Sequence, residues 1–229
     1  MNVLAFASRK GGSGKSTLAA HLAAHLAAHV HRPSRPCLLI DEDPQGSLTL
    51  WNKLRKDDAL PLKFVKRDIA DTLRKAKRDG VEWVFIDTPP NMSVSVSDAI
   101  RAATLVIIPC RPGVFDLVAV QETIGFARRA RTPYAVVLNG APAKRQDVES
   151  PLVTYARGCL AELKTPVWGG QITQRASFSL ALAEGEGAKE YDASFSSTSE
   201  IERLWLAIEK SVKAIRGARE GGAIHRVAA

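Results

Sequence analysis

The residues best equipped for chemistry lie near the front of the chain. Arg9-Lys10-Gly11-Gly12-Ser13-Gly14-Lys15-Ser16-Thr17 gathers three glycines, two lysines and three hydroxyls into nine residues. Glycine lets the backbone wrap closely around an anion. The amides of such a loop, and the start of the helix after it, point at that anion. In a G-x-x-x-x-G-K-[ST] loop the lysine, here Lys15, reaches the β- and γ-phosphates, and the next hydroxyl, Ser16, ligates Mg²⁺. Counting back from Gly14-Lys15-Ser16 puts Arg9 where the ordinary loop has its first glycine, so this loop is a variant. Two acidic segments follow: Asp41-Glu42-Asp43-Pro44-Gln45-Gly46 after Leu38-Leu39-Ile40, and Asp87-Thr88-Pro89-Pro90 after Trp83-Val84-Phe85-Ile86. An aspartate at the end of an apolar strand can hold Mg²⁺ through water. Asp41 and Asp43 also suit the start of a helix, where a carboxylate caps free amides.

These groups need a scaffold that brings strand ends together. Short apolar runs recur at Val3–Ala7, Cys37–Ile40, Trp83–Ile86, Leu105–Ile108 and Tyr134–Leu138. Nearly uninterrupted runs of this length suit strands buried on both faces. Helical patterns alternate with them at Ser16–Val30, Asp68–Arg78, Asp116–Arg129, Val148–Leu163 and Glu200–Ile215. The alternation predicts an α/β fold: a doubly wound, mostly parallel sheet with helices on both faces, in which ligands meet the carboxyl ends of the strands. One domain is expected over residues 1–216. Ser177–Ser199 reads as mostly loop, and the stretch from Gly217 to Ala229 as a poorly ordered tail.

Composition narrows the class. The 229 residues are 45% hydrophobic, enough for one substantial core, and carry a net charge of +8. That balance fits a polyanionic partner as readily as simple solubility. Cys37, Cys110 and Cys159 show no paired spacing, which speaks against a disulfide framework or a zinc site. No secretory signal or membrane-length apolar run is visible, so a cytoplasmic protein without membrane insertion is expected. His21, His25 and His29 recur every four residues on one helix face. With no acidic residue near them, they read as an exposed face rather than a metal site. Trp51, Trp168 and Trp205 read as packing residues. Basic residues cluster at Arg128, Arg129, Arg131, Lys144 and Arg145. A second set, Lys210, Lys213, Arg216 and Arg219, is spaced as one helical stripe.

The loop Lys10-Gly11-Gly12-Ser13-Gly14-Lys15-Ser16-Thr17 resembles the deviant Walker A box of the ParA/MinD superfamily of P-loop NTPases. Asp41-Glu42-Asp43-Pro44-Gln45-Gly46 and the Asp87-Thr88-Pro89-Pro90 turn resemble the family's second and third boxes, in the right order. Weaker likeness extends through Pro109–Asp116, Asn139 and Ile172–Arg175. The resemblance implies an ATPase binding ATP/ADP and Mg²⁺. Lys10 would cross to the phosphates of a second subunit in an ATP-dependent homodimer. Asp43 would position or activate the attacking water, Asp41 would lie near Mg²⁺, and Asn139 would contact adenine. ParA-like proteins hold DNA without sequence preference and release it when a ParB-like or cargo-adaptor protein stimulates slow hydrolysis. Nucleoid association and the positioning of a plasmid, a chromosome or a protein assembly would follow. The absence of a DNA-binding extension before the first strand resembles the short ParA type. Two relatives compete. A MinD-like membrane ATPase needs an amphipathic end rich in bulky apolar residues, which the tail lacks. A nitrogenase-like reductase needs cluster-binding cysteines, and Cys110 has no suitable companion.

Overall fold

The computed structural model describes residues 1–29, 37–56, 58–65 and 68–220. Six strands form one sheet: β1 (Asn2–Phe6), β2 (Cys37–Asp41), β3 (Leu62–Phe64), β4 (Trp83–Asp87), β5 (Leu105–Cys110) and β6 (Tyr134–Leu138). Their order is β3-β2-β4-β1-β5-β6, and every pairing is parallel. Strands β1, β2, β4 and β5 are buried along their whole length, because helices cover both sides. Alternate residues feed two separate cores. Leu4, Phe6, Leu39, Phe85 and Ile107 face one side and pack with α1 (Lys15–His29) and α9 (Ser196–Glu220). Val3, Ala5, Ile40, Ile86 and Ile108 face the other and pack with α3 (Ile69–Arg78), α4 (Val94–Ala102), α5 (Val114–Arg129) and α6 (Pro151–Glu162). This is the doubly wound arrangement expected from the strand runs.

In register, Phe6 lies beside Asp87, and Asp87 beside Asp41. The two acidic segments and the phosphate loop therefore leave the sheet at one edge, side by side.

Several elements differ from expectation. Strand β3 was not foreseen, since it has only three residues and two of them are exposed. Helices α2 (Ser47–Leu54) and α4 were also not foreseen. The stretch read as loop, Ser177–Ser199, holds most of α7 (Ala176–Ala183), all of α8 (Ala188–Tyr191) and the first turn of α9. The α7 sequence Ala-Ser-Phe-Ser-Leu-Ala-Leu-Ala has no charged face, so its helical period is hidden. Phe178 and Ala181 anchor it in the core. Helix α9 continues through Gly217 to Glu220, past the expected start of the tail. Residues 221–229 of that tail lie outside the described residues, as does Val30, the expected end of the first helix.

The histidine face is also corrected. His21 and His25 are buried, not exposed. Helix α1 is Ala/Leu-rich all round and lies under α7, α8 and α9, so it has no wide solvent face near its middle. His21 Nδ1 accepts the Ala188 amide at 3.1 Å, which ties α8 to α1. Burial lowers its pKa to about 4, so the ring is neutral at ordinary pH. His25 packs beside Trp205, with ring centroids 6.5 Å apart. Trp51, Trp168 and Trp205 are buried packing residues, as read from the sequence.

Candidate functional site

Strand β1 runs into the phosphate loop, and α1 begins directly on Lys15. The turn between them needs left-handed backbone at Gly12 (φ 72°) and Gly14 (φ 102°), which glycine supplies at little cost. Gly14 is required twice over, because a Cβ there would lie 2.0 Å from the Asn139 amide nitrogen. That nitrogen donates to the Ser13 carbonyl at 2.7 Å. Asn139, at the end of β6, thus grips the loop across the sheet edge. This contact was not foreseen when Asn139 was read as an adenine contact.

Lys15 is 6% exposed. Burial lowers its pKa, while Asp87 and Asp43 favour its charge. Asp87 is fully buried, and neither of its carboxylate oxygens has a well-formed hydrogen bond among the described residues. Burial drives its pKa up to about 7. The nearby Ser16 hydroxyl and Lys15 oppose that rise, and Asp41 and Asp43 add to it. A buried carboxylate without a partner is costly, and here a hydroxyl and an ammonium stand next to it. Mg²⁺ carried on a nucleotide phosphate fits that donor set, since it typically takes one or two carboxylates together with phosphate and water. The same logic explains why no three His, Cys, Asp or Glu side chains converge as a metal cluster among the described residues.

Asp43 and Asp41 differ. Asp43 lines the cavity, and its Oδ1 accepts the Gln45 amide at 3.0 Å. Asp41 is turned inward. Its Oδ2 accepts both the amide and the hydroxyl of Thr49, at 2.8 and 2.7 Å, and its Oδ1 accepts the Asp43 amide at 3.1 Å. Gly46, at the start of α2, has no side chain to cap the helix. Asp41 supplies that cap from the strand end. Glu42, which sequence reasoning passed over, is 5% exposed, with both oxygens unpartnered among the described residues. Burial, and then Asp98 and Asp87, push its pKa up to about 8.

The leading cations of the loop turn the other way, toward α5. Lys10 Nζ meets Asp116 Oδ2 at 2.5 Å, and Arg9 pairs with Glu122. The Arg9 amide donates to the Thr123 hydroxyl at 3.3 Å.

A cavity of about 680 Å³ opens over the loop, large enough for a nucleotide. Its floor is Gly11, Gly12 and Gly14–Thr17. One wall carries Asp43 and α2. The far wall carries Asn139, Gly140 and Thr173–Arg175. The role of Thr173–Arg175 in the cavity, signalled only by the weak likeness at Ile172–Arg175, depends on the segment returning to lie along the end of β6.

The two basic clusters separate. Arg128 is used internally: its guanidinium donates to the Tyr134 hydroxyl and to the Leu163 and Lys164 carbonyls at the end of α6. Arg129 lies over the Phe126 ring, and Lys144 approaches Glu149. Lys210, Lys213, Arg216 and Arg219 are all exposed along α9. No helix among the described residues is long and apolar enough to cross a membrane.

Residues 4–188 match the CobQ/CobB/MinD/ParA nucleotide binding domain. The maintenance of carboxysome distribution protein A of Gloeobacter kilaueensis is 29% identical over 214 residues, covering 89% of this chain and 95% of the relative. Protein ParA of Rhizobium radiobacter is 36% identical over 119 residues, covering 51% of each. Among solved structures, MinD of Pyrococcus horikoshii with Mg-ADP superposes with a TM-score of 0.74 at 16% identity, covering 93% of this chain and 98% of that one. An ATP-bound variant of McdA from Cyanothece gives 0.67 at 17% identity, covering 95% and 96%. At such identities the structural likeness speaks for the fold.

Proposed function

This chain belongs to the CobQ/CobB/MinD/ParA family of nucleotide-binding ATPases, and on that footing we propose that it is a positioning ATPase that switches between a free chain and an ATP-bound homodimer. The observation that carries this reading is the buried Asp87 set against the Ser16 hydroxyl and the Lys15 ammonium, at the root of a loop whose glycines adopt left-handed backbone.

In this reading the backbone of Gly11–Gly14 and the start of α1 cradle the phosphates of ATP. Lys15 lies against the β- and γ-phosphates, and Thr17 helps fix the start of α1 beneath them. Ser16 and Asp87 hold Mg²⁺, which when bound neutralises charge on the phosphates. Asp41 stands behind Asp87 and keeps α2 in place, which leaves Asp43 free to orient the attacking water. Lys10 reaches the phosphates held by the second subunit, adding positive charge where negative charge develops. To do so it exchanges the Asp116 carboxylate for a phosphate. Asn139 braces the loop on the nucleoside side.

The exposed stripe on α9 is the proposed contact for DNA phosphates, doubled by dimerisation. The carboxysome-distribution name of the Gloeobacter relative favours a protein assembly as cargo over a plasmid or chromosome. A cargo-bound adaptor would stimulate turnover.

The test combines ATP-dependent mass and DNA binding. Sedimentation equilibrium should show a dimer with Mg-ATP and a monomer with ADP, and Lys10→Ala should abolish the difference. Asp43→Ala should keep ATP binding, stall hydrolysis and accumulate the dimer. DNA binding should need ATP and fall steeply with salt, by about 0.9 log units per log unit of salt for each phosphate neutralised. ATP-dependent binding to anionic vesicles without DNA binding would instead favour a membrane ATPase of the MinD kind.

A further inference from the structure

The far wall of the cavity is not held by the loop that forms it. Residues Ile172–Gln174 run parallel to the chain leaving β6. The Ile172 amide donates to the Leu138 carbonyl at 2.9 Å, the Ala141 amide to Ile172 at 3.0 Å, and the Gln174 amide to Ala141 at 2.8 Å. Three backbone bonds at a sheet edge, with no strand beyond them, leave the outward Thr173 amide needing an acceptor. Glu200, in the second turn of α9, provides it. Its Oε2 accepts the Thr173 amide at 2.8 Å, and its Oε1 accepts the Arg175 guanidinium at 3.0 and 3.3 Å. Glu200 is 4% exposed and Thr173 is 4% exposed, while both Thr173 and Arg175 line the cavity. Gln171 completes the brace, donating to the Pro142 carbonyl and the Thr173 hydroxyl.

A buried carboxylate that spends both oxygens on one short segment fixes that segment's position. Charge-assisted bonds of this kind are roughly twice as strong as neutral ones. The segment adjoins Gly140, next to the Asn139 that grips the phosphate loop. It offers polar groups to the cavity beyond Asn139, whereas Leu50, Trp51 and Leu182 line the cavity with apolar side chains.

We infer that Glu200 is a positioning residue for nucleotide binding: from α9 it fixes Thr173–Arg175 as the wall against which the nucleoside of the bound nucleotide rests. It touches no phosphate. This rests on the reading that the cavity holds ATP. It assigns Glu200 a share in the affinity for the nucleoside and none in the affinity for the triphosphate.

The two halves of the ligand can be offered separately. Binding of Mg-ATP and of inorganic tripolyphosphate with Mg²⁺ would be measured by calorimetry on the full chain, as wild type, Glu200→Ala and Glu200→Gln. Glu200→Ala should weaken ATP at least about 10-fold, the loss expected for a charge-assisted bond to a backbone amide, and leave tripolyphosphate within about 2-fold. In turnover it should raise KM with kcat at saturating ATP unchanged. Glu200→Gln keeps an acceptor for Thr173 and should recover part of the ATP affinity; it carries the comparison if the alanine variant does not fold. Equal weakening of both ligands would make Glu200 a general structural residue and overturn the inference. So would unchanged ATP affinity in folded variants of a protein whose wild type binds both ligands. A wild type that binds neither ligand would overturn the nucleotide reading and the inference with it.

Discussion

The two flanks of the phosphate loop treat charge in opposite ways. Toward α5, the cations Arg9 and Lys10 find Glu122 and Asp116 within the same chain, partly in solvent. Toward β2 and β4, Asp87 and Glu42 are buried and unpartnered among the described residues, and Lys15 lies nearby. Arg9–Glu122 is an exposed pair, which contributes little and exchanges easily, and Lys10 keeps its ammonium partly in solvent although Asp116 is buried. Burying these two carboxyls costs stability, which shows as pKa values raised to about 7 for Asp87 and about 8 for Glu42. One flank is therefore already satisfied and can let go, while the other carries a standing demand that a metal-bound phosphate would meet. The cations of the first flank are accordingly the ones suited to moving between partners.

The comparison can be broken most forcefully at Lys15. Lys15→Ala should weaken ATP by at least about 100-fold, as expected when one partner of a buried charge pair is removed; calorimetric affinity close to wild type would empty the second flank of its meaning. Asp87→Asn should have effects of opposite sign. Mg²⁺ affinity in the presence of nucleotide should fall by about 10–100-fold. The ligand-free chain should gain about 1–3 kcal/mol from losing a carboxyl whose burial is only partly offset by Ser16 and Lys15, seen as a melting temperature several degrees higher. A lower melting temperature would show that Asp87 is already satisfied without ligand. Glu42→Gln should raise ligand-free stability by about 1 kcal/mol while Mg²⁺ affinity stays level, which separates the acid that serves the site from the one that only burdens it. On the paired flank, Asp116→Asn, at a buried carboxylate facing a half-exposed lysine, should lower stability by about 1–2 kcal/mol. Glu122→Gln, at a more exposed pair, should shift the melting temperature by an amount near experimental error. A large loss from either would mean that the cations are locked rather than parked.

How much of this was legible depended on distance along the chain. The loop, the acidic segments and five of the six strands announce themselves in contiguous residues, because a doubly buried strand must be apolar throughout and a phosphate loop must be rich in glycine. Strand β3 lacks that signal: Lys63 and Phe64 are exposed, and three edge residues leave no pattern. The uncharged helix α7 hid its period, and the buried His21 and His25 looked exposed because α7, α8 and α9, which cover α1, come more than 140 residues later. The contacts that refine the site are equally remote. Asn139 to Ser13 spans 126 residues, and Thr123 to Arg9 spans 114. The bond between Thr49 and Asp41 is legible from neither residue alone, because it joins a strand end to a helix that the sequence did not announce.

The order of the sheet has a consequence in time. The phosphate loop leaves the ribosome before the residues that support it or wall its cavity: Asp87, Asn139 and Thr173 emerge progressively later, and Glu200 later still. Synthesis proceeds at about 5–20 residues per second, so tens of seconds can separate the loop from its last brace at the slower rate. During that interval the loop has its glycines and lysines but no site. A nascent chain that ends before Glu200 therefore carries the loop without the brace that completes the far wall of its cavity.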